Sequence, residues 1–201
     1  MQSISFDGVG KITGGEYDDV KIDGVCDCNG DIKAEQMNIN GVFHCYGSLE
    51  AKTILCDGVA EFKAYVKAGK LDVDGVFNVK NGSKIEADEI ACDGVIKVNG
   101  EISADIINAD GYISAKEIVG DKITIKSRTN FLSDFFTRKF SDIELIEATT
   151  VHLSGVKAQS VNGKEVFIGP KCKIENIHCN GTLFVDKSAI VKNITGDYTS
   201  A

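Results

Sequence analysis

Hydrophobic residues recur at fixed positions of a 17-residue unit between Gly24 and Gly111. When the glycine that opens each unit is counted as position 1, apolar residues occupy positions 3 and 5, 9 and 11, and 14 and 16. Within each pair the side chains alternate as in a β-strand, and the longer gaps between pairs predict corners. The sequence therefore predicts three short strands per unit. In the unit opened by Gly41 the apolar residues are Phe43, Cys45, Leu49, Ala51, Ile54 and Cys56.

The opening phrase Asp-Gly-Val, or a close variant, repeats with its glycine at Gly24, Gly41, Gly58, Gly75, Gly94 and Gly111. An independent column repeats in step with it: Ala34, Ala51, Ala68, Ala87 and Ala104. Both step by 17 residues except once, when the step is 19, and we place the two extra residues in the turn 81–83. A short fixed period is typical of a solenoid. We predict an all-β, three-sided parallel β-helix of about ten coils, stacked about 4.8 Å apart.

The Asp-Gly corners carry two expectations. Glycine is expected there because a tight corner favours a positive φ. The stacked corner acids would repel one another, so we expect their carboxylates to accept hydrogen bonds from turn amides, with bound cations as the alternative. The acids concerned are Asp23, Asp57, Asp74, Asp93 and Asp110.

The repeat predicts three regions: a first part of the β-helix over 1–127, an insertion over 128–142, and the final coils over 143–201. From Val166 onward we match the final coils to the template with Gly181 as position 1. The insertion is either a short helix or lid that covers the solenoid, or a contact patch for another subunit or a membrane. Its large apolar residues are Phe131, Leu132, Phe135, Phe136 and Phe140.

Composition narrows the function classes. The chain has 201 residues, a net charge of −8 and no basic cluster, which argues against a nucleic-acid partner. The first ten residues lack the features of a secretory signal, and no apolar run is long enough to span a membrane. Seven cysteines, several at inward positions, fit a reducing compartment. We expect a location in the cytoplasm, either free or at the inner face of the membrane.

Two sets of residues could carry chemistry. Asp27, His44 and Glu61 occupy outward position 4 of successive coils. They are candidates for a proton relay or a weak metal site. The interpretation we favour is a ladder of solvated polar side chains. Cys28 and Cys45 lie near His44, but alternation points the histidine away from the cysteines.

The same alternation argues against a site formed by Cys172, His178 and Cys179. No nucleophile elbow, phosphate loop or dinucleotide motif is present. We therefore expect no catalytic residues, no cofactor and no metal.

The periodic Asp-Gly-Val units and the run FIGPKCKIENIHCNGTLFVDKSAIVKNITGD at 167–197 resemble the bactofilins, polymer-forming cytoskeletal proteins of bacteria. The resemblance implies a right-handed β-helix that polymerises end to end without nucleotide. It also implies filaments that act as scaffolds for cell shape and for cell-wall enzymes. Membrane attachment is not carried over, because this chain starts directly in a coil.

We therefore expect a non-enzymatic structural protein whose partners are copies of itself, with cell-wall or shape-determining proteins as further partners. A β-solenoid acyltransferase or polysaccharide-active enzyme is the alternative, although the three histidines are dispersed and no six-residue step exists. An adhesin-type binding module would require export. The end coils should supply the polymer contacts, through Ile4, Phe6, Ile12, Ile22, Ala189, Ile190, Val191 and Ile194.

Overall fold

A computed structural model describes residues 2–127 and 141–201. Its strands form one 17-stranded parallel sheet, wound into a β-solenoid of about 11 turns with a spacing of roughly 17 residues. The strands are β1 Gln2–Phe6, β2 Val9–Ile22, β3 Val25–Ile39, β4 Val42–Cys45, β5 Leu49–Cys56, β6 Val59–Phe62, β7 Val66–Val73, β8 Val76–Val79, β9 Ile85–Cys92, β10 Val95–Val98, β11 Glu101–Ala109, β12 Tyr112–Lys126, β13 Ser141–Ser154, β14 Val156–Ile168, β15 Lys173–Val185, β16 Ile190–Thr195 and β17 Thr199–Ser200.

The predicted stacking is confirmed by the strand register. Ala51 pairs with Ala34 below and Ala68 above, and the column continues through Ala87 to Ala104. Four turns follow the insertion, stacked through Ile143, Ala158, Ile174 and Val191. Strand β1 adds one further strand below the last part of β2.

The interior contains the six predicted columns, and almost every residue in them is buried. We name the three sides by their inward pairs in one coil: side one carries Phe43 and Cys45, side two Leu49 and Ala51, and side three Ile54 and Cys56. On side one the rings of Phe43, Phe62 and Phe77 stack along the axis, with centroids 5.9 and 4.9 Å apart. Each fully buried side chain of this size contributes about 1.5–3 kcal/mol relative to an exposed one.

The corner glycines serve close packing, so the expected positive φ is wrong. Among the described glycines, positive φ occurs at Gly30, Gly82, Gly155 and Gly196, and at none of the six repeat corners, five of which are Asp-Gly and one Asn-Gly. A Cβ atom placed on Gly58 would instead lie 2.0 Å from the carbonyl oxygen of the glycine one turn below. Glycine is required because the backbones of successive turns nearly touch at this corner.

The expected hydrogen bonds from turn amides to the corner carboxylates are not formed at Asp57, Asp74 and Asp93. The amides of Asp57 and Gly58 donate to the carbonyl oxygen of Ile39 in the turn below, at 3.0 and 2.9 Å. The ladder between turns therefore satisfies these amides. The carboxylates of Asp57, Asp74 and Asp93 have no hydrogen bond or ion pair with residues 2–127 or 141–201.

The turn 81–83 contains the two extra residues, as predicted. Asn81 and Gly82 have φ values of 62° and 70°, and the amide of Ser83 donates to the carbonyl oxygen of Lys80 at 3.2 Å.

The strands of the final coils lie one side of the solenoid away from the side that the sequence predicted. Leu183 stacks on Val166, which stacks on Val151 and, below it, Ile123. This column belongs to side three, so Gly181 does not occupy position 1. The predicted side was wrong because the turn from Val151 to Val166 has 15 residues instead of the regular 17.

The stacking continues across the predicted insertion. Strand β13 begins at Ser141, two residues before the predicted start of the final coils, and pairs in register with β12. The two flanking serines meet: Ser127 Oγ lies 2.7 Å from Ser141 Oγ, which also accepts the amide of Ile113 at 3.0 Å. Ser141 is fully buried. The described residues on either side of the insertion thus meet at one corner of the solenoid. The five predicted insertion residues Phe131, Leu132, Phe135, Phe136 and Phe140 lie outside the described residues.

The close approach at the corners can be tested by adding a single methyl group. Gly58→Ala forces two backbones apart, and we expect it to lower the free energy of unfolding by about 1–3 kcal/mol, as overpacking does. Gly8→Ala is the matched control, because nothing lies within 4 Å of its Cβ position. Urea denaturation measures both, and equal stability of the two variants would contradict the packing argument.

The closed corner at Ser127 and Ser141 predicts that the intervening segment is not needed for folding. We expect a variant with residues 127–140 replaced by Gly-Val, and with Ser141→Val to match Val156 in its column, to keep its thermal midpoint within about 4 °C. Circular dichroism measures this. Deleting Ile123 and Thr124 instead should abolish folding, because it breaks the register. Loss of β structure in the first variant would show that the segment belongs to the core.

Candidate assembly surfaces at the ends of the rod

The two ends of the solenoid differ from its middle because their strands are paired on one side only. Strand β1 pairs with β2, and β16 with β15. Apolar residues that pack on the core but stay partly exposed are Ile4, Phe6, Tyr17, Val185, Ala189 and Val191. All six belong to the end turns. The ends therefore combine incompletely buried apolar surface with unpaired strand edges, two features that promote association.

At the N-terminal end, Ile4 and Phe6 stack on Val20 and Ile22. The Phe6 ring folds across the end, since a Cβ on Gly10 would lie 2.6 Å from its Cε1 atom. Two of the predicted contact residues lie deeper: Ile22 is fully buried and Ile12 is 5% exposed. The aromatic ring therefore covers part of the open core.

Tyr17 is an end residue that the sequence prediction missed. It occupies the alanine column and stacks on Ala34, and its hydroxyl donates to the carbonyl oxygen of Thr13 at 3.2 Å. A bulky ring fits there because no complete turn lies beyond it in the described chain. A tyrosine where the next five coils carry alanine was the available signal.

At the C-terminal end, Ala189 and Val191 continue the columns of side one, with Val191 stacked on Ile174. Ile194 stacks on Ile177 and is 39% exposed because no residue of 2–127 or 141–201 covers its upper face. Ile190 pairs with Lys173 and is 59% exposed on the outer surface of the turn. Three of the four predicted residues thus form the end face, and Ile190 lies beside it.

Polar side chains hold the last turn on the one below. Asn193 Nδ2 donates to Asn176 Oδ1 at 3.0 Å, and Lys192 Nζ lies 2.7 Å from Glu175 Oε1. Hydrogen bonding to this lysine lowers the pKa of Glu175. The exposed end turn is therefore ordered by contacts with its own chain.

The predicted Asp27, His44 and Glu61 ladder is present on the outside of side one. His44 Nδ1 lies 3.2 Å from Asp27 Oδ1, and Glu61 pairs with Lys80 at 2.5 Å. Hydrogen bonding to Lys80 lowers the pKa of Glu61. About two fifths of the His44 side chain is exposed, which fits a solvated ladder.

The cysteines and histidines lie on opposite faces of their strands. Cys26, Cys28 and Cys45 are buried, whereas His44 points outward. Likewise Cys179 is buried, while His178 is exposed and contacts Thr195 Oγ1 at 3.1 Å. Neither set brings its cysteines and histidine together. Across residues 2–127 and 141–201, no cluster of three potential metal ligands occurs.

A groove of about 580 Å³ runs along the alanine column on side two. Charged residues flank it on successive turns, and they pair with one another: Lys33 lies 3.4 Å from Glu50, and Lys67 lies 2.7 Å from Glu86. Lys67, Tyr65 and Lys84 together lower the pKa of Glu86 to about 2. The groove lining is therefore of mixed charge, with three lysines and four acidic residues.

The burial of the cysteines predicts low thiol reactivity. Burial raises the pKa of Cys56 and of Cys92 to about 12, so neither thiol forms the reactive thiolate near neutral pH. We expect all seven thiols to resist Ellman's reagent at pH 8 in the native protein and to react in guanidinium chloride. Rapid reaction of any thiol under native conditions would contradict the buried columns.

None of the described residues forms a helix that could cross a membrane. No family model matches the chain, and no solved structure matches it. It is similar to two uncharacterized proteins of Bacillus subtilis. YhbE is 42% identical over 52 residues, which cover 26% of this chain and 22% of YhbE. YhbF is 36% identical over 80 residues, which cover 40% of this chain and 33% of YhbF. The matches thus span a third or less of either relative.

Proposed function

We propose that the protein is a non-enzymatic structural protein that self-assembles end to end into filaments, without nucleotide, and acts as a cytoskeletal scaffold in bacteria. The observation that carries this proposal is the exposed apolar face of the last turn, formed by Ala189, Val191 and Ile194. Its direct continuation into the buried core makes it a template on which another turn can stack.

The backbone supports the same conclusion. Within the rod, each strand donates to one neighbour and accepts from the other, as where the amide of Val76 donates to Gly58 and that of Val95 to Gly75. A terminal strand has a partner on one side only, and its other edge can pair with a second chain. Joining two ends would bury apolar side chains and complete the strand pairing at once.

The resemblance to the bactofilins adds the scaffold role. It rests on the Asp-Gly-Val periodicity and on the run at 167–197, which forms β15 and β16 and much of the end face. Cytoplasmic location and cell-wall or shape-determining partners are part of this proposal. A solenoid rod suits the role because its outer surface presents the same spacing over its whole length.

A charge on the end face should block assembly without unfolding the rod. We expect Val191→Arg to keep the β-sheet circular dichroism of the wild type but to give short filaments or none in negative-stain electron microscopy. The matched control is Ile190→Arg, one residue away on the outer surface, where wild-type filaments should persist. All samples are prepared without nucleotide at several salt concentrations.

Three results would count against the proposal. Filaments of normal length from the Val191 variant would exclude this end as the contact. Absence of wild-type filaments under every condition would remove the scaffold role. Discrete trimers would favour the acyltransferase class instead.

A further inference from the structure

Six Asn-Gly pairs occur in the chain, and the fold holds their backbones in different ways. An asparagine followed by glycine can cyclise, because glycine has no side chain that hinders attack by its amide nitrogen on the asparagine Cγ atom. The attack requires rotation of the backbone between the two residues, so hydrogen bonds that fix this backbone slow it. The pairs are Asn29-Gly30, Asn40-Gly41, Asn81-Gly82, Asn99-Gly100, Asn162-Gly163 and Asn180-Gly181.

The pair Asn81-Gly82 is an addition to a corner that is shorter in the next turn. The strands on either side of it pair in register with those one turn above. Residues 80–84 therefore form the corner that residues 99–101 form in that turn. A Cβ atom placed on Gly100 would lie 2.2 Å from the carbonyl oxygen of Ser83, so this glycine packs directly on the turn below. Asn81 and Gly82 thus have no equivalent in the next turn and lie outside the ladder.

The amide nitrogen of Gly82 is free to react. It has no hydrogen-bond partner among residues 2–127 and 141–201. Among these residues, a Cβ atom on Gly82 would approach the carbonyl oxygen of Asn99 alone, at 3.8 Å. Both members of the pair are exposed. The Asn81 side chain donates to the carbonyl oxygen of Lys63 at 3.2 Å, an exposed hydrogen bond that water can replace.

The same corner one turn above is fixed by the ladder. The amide of Asn99 donates to the carbonyl oxygen of Val79 at 3.0 Å. The carbonyl oxygen of Gly100 accepts the amide of Lys116 at 2.9 Å. Rotation of the backbone between Asn99 and Gly100 therefore strains hydrogen bonds to the turns on both sides.

The remaining pairs are held as well. At Asn40-Gly41 the glycine amide donates to the carbonyl oxygen of Ile22 at 2.9 Å, and Asn40 Nδ2 donates to Asp23 Oδ1 at 2.6 Å. The other three pairs lie inside strands of the parallel sheet, where the backbone is extended. They are Asn29-Gly30 in β3, Asn162-Gly163 in β14 and Asn180-Gly181 in β15.

We propose that Asn81 is a site of spontaneous deamidation in the native protein, and that the solenoid protects the other five pairs. The nitrogen of Gly82 loses its proton and bonds to Cγ of Asn81, and the side-chain Nδ2 leaves as ammonia. Water then opens the resulting cyclic imide at either of its carbonyl groups and gives aspartate or isoaspartate. Solvent supplies the water, and hydroxide promotes the first step, so the rate rises with pH.

The turn can accept the product without loss of the fold. Isoaspartate lengthens the backbone by one methylene group. Because Asn81 and Gly82 lie outside the stacked columns, this change leaves the register of the strands as it is. The protein therefore gains a negative charge at an exposed corner while its solenoid persists. The inference is independent of filament formation.

Peptide mapping by mass spectrometry tests the inference. The native protein is incubated in mildly alkaline buffer, and the peptides that contain the Asn-Gly pairs are followed over time. We expect aspartate and isoaspartate to accumulate about tenfold faster at Asn81 than at Asn99, because breaking a ladder hydrogen bond adds to the barrier. Raising the pH should speed the reaction at Asn81.

The unfolded chain provides the matched control. In guanidinium chloride the ladder is absent, and we expect all the Asn-Gly pairs to react at similar rates. Equal rates at Asn81 and Asn99 in the native protein would overturn the inference. It would also be overturned if Asn81 reacted in the unfolded chain but stayed intact in the native protein.

The variant Asn81→Asp measures what the product does to the fold. We expect its circular dichroism spectrum and its thermal midpoint to match those of the wild type, since the turn packs against no column. A marked loss of stability would overturn the claim that the solenoid persists after the reaction.

Discussion

Each residue of this protein stacks on its equivalent one turn away, and the rest of the structure depends on that constraint. The parallel backbone ladder fixes the separation at about 4.8 Å, so every column must hold residues that tolerate their own kind at that distance. Inside, alanines stack on alanines along side two, and on side one Phe43, Phe62 and Phe77 alternate between two adjacent columns, so that each large ring lies level with a smaller residue. At the corners the backbones come close enough that only glycine fits.

The same constraint acts on the outer surface, where it concerns charge instead of volume. Two lysines or two aspartates at equivalent positions are held near each other whether or not this is favourable. Side two meets the constraint by alternating Lys33 with Glu50 and Lys67 with Glu86. At the corner where side one begins, Asp57, Asp74 and Asp93 stack without such alternation. Repetition in the fold thus converts a local choice of residue into a property of a whole face.

The ladder also explains what the fold tolerates. The stacking is continuous on either side of the insertion, as the contact between Ser127 and Ser141 and the register of β12 with β13 show. Even Asn81 and Gly82, two residues added to one turn, stay outside the columns. The ends are the exception, because a terminal turn lacks a neighbour. Phe6 folds over one end of the core, whereas Val191 and Ile194 remain exposed at the other.

The sequence alone determined the repeat, the three strands per turn, the inward columns and the place of the extra turn residues, because each follows from periodic burial. It also placed the end residues, although Tyr17 was missed and Ile12, Ile22 and Ile190 were not on the end face. The tertiary structure decided what depends on distances between turns. Close backbone contact explains the corner glycines, and the ladder hydrogen bonds take up the corner amides that the carboxylates were expected to bind. The phase of the final coils, set by a 15-residue step, likewise required the actual stacking, since a column is defined by what lies above and below it.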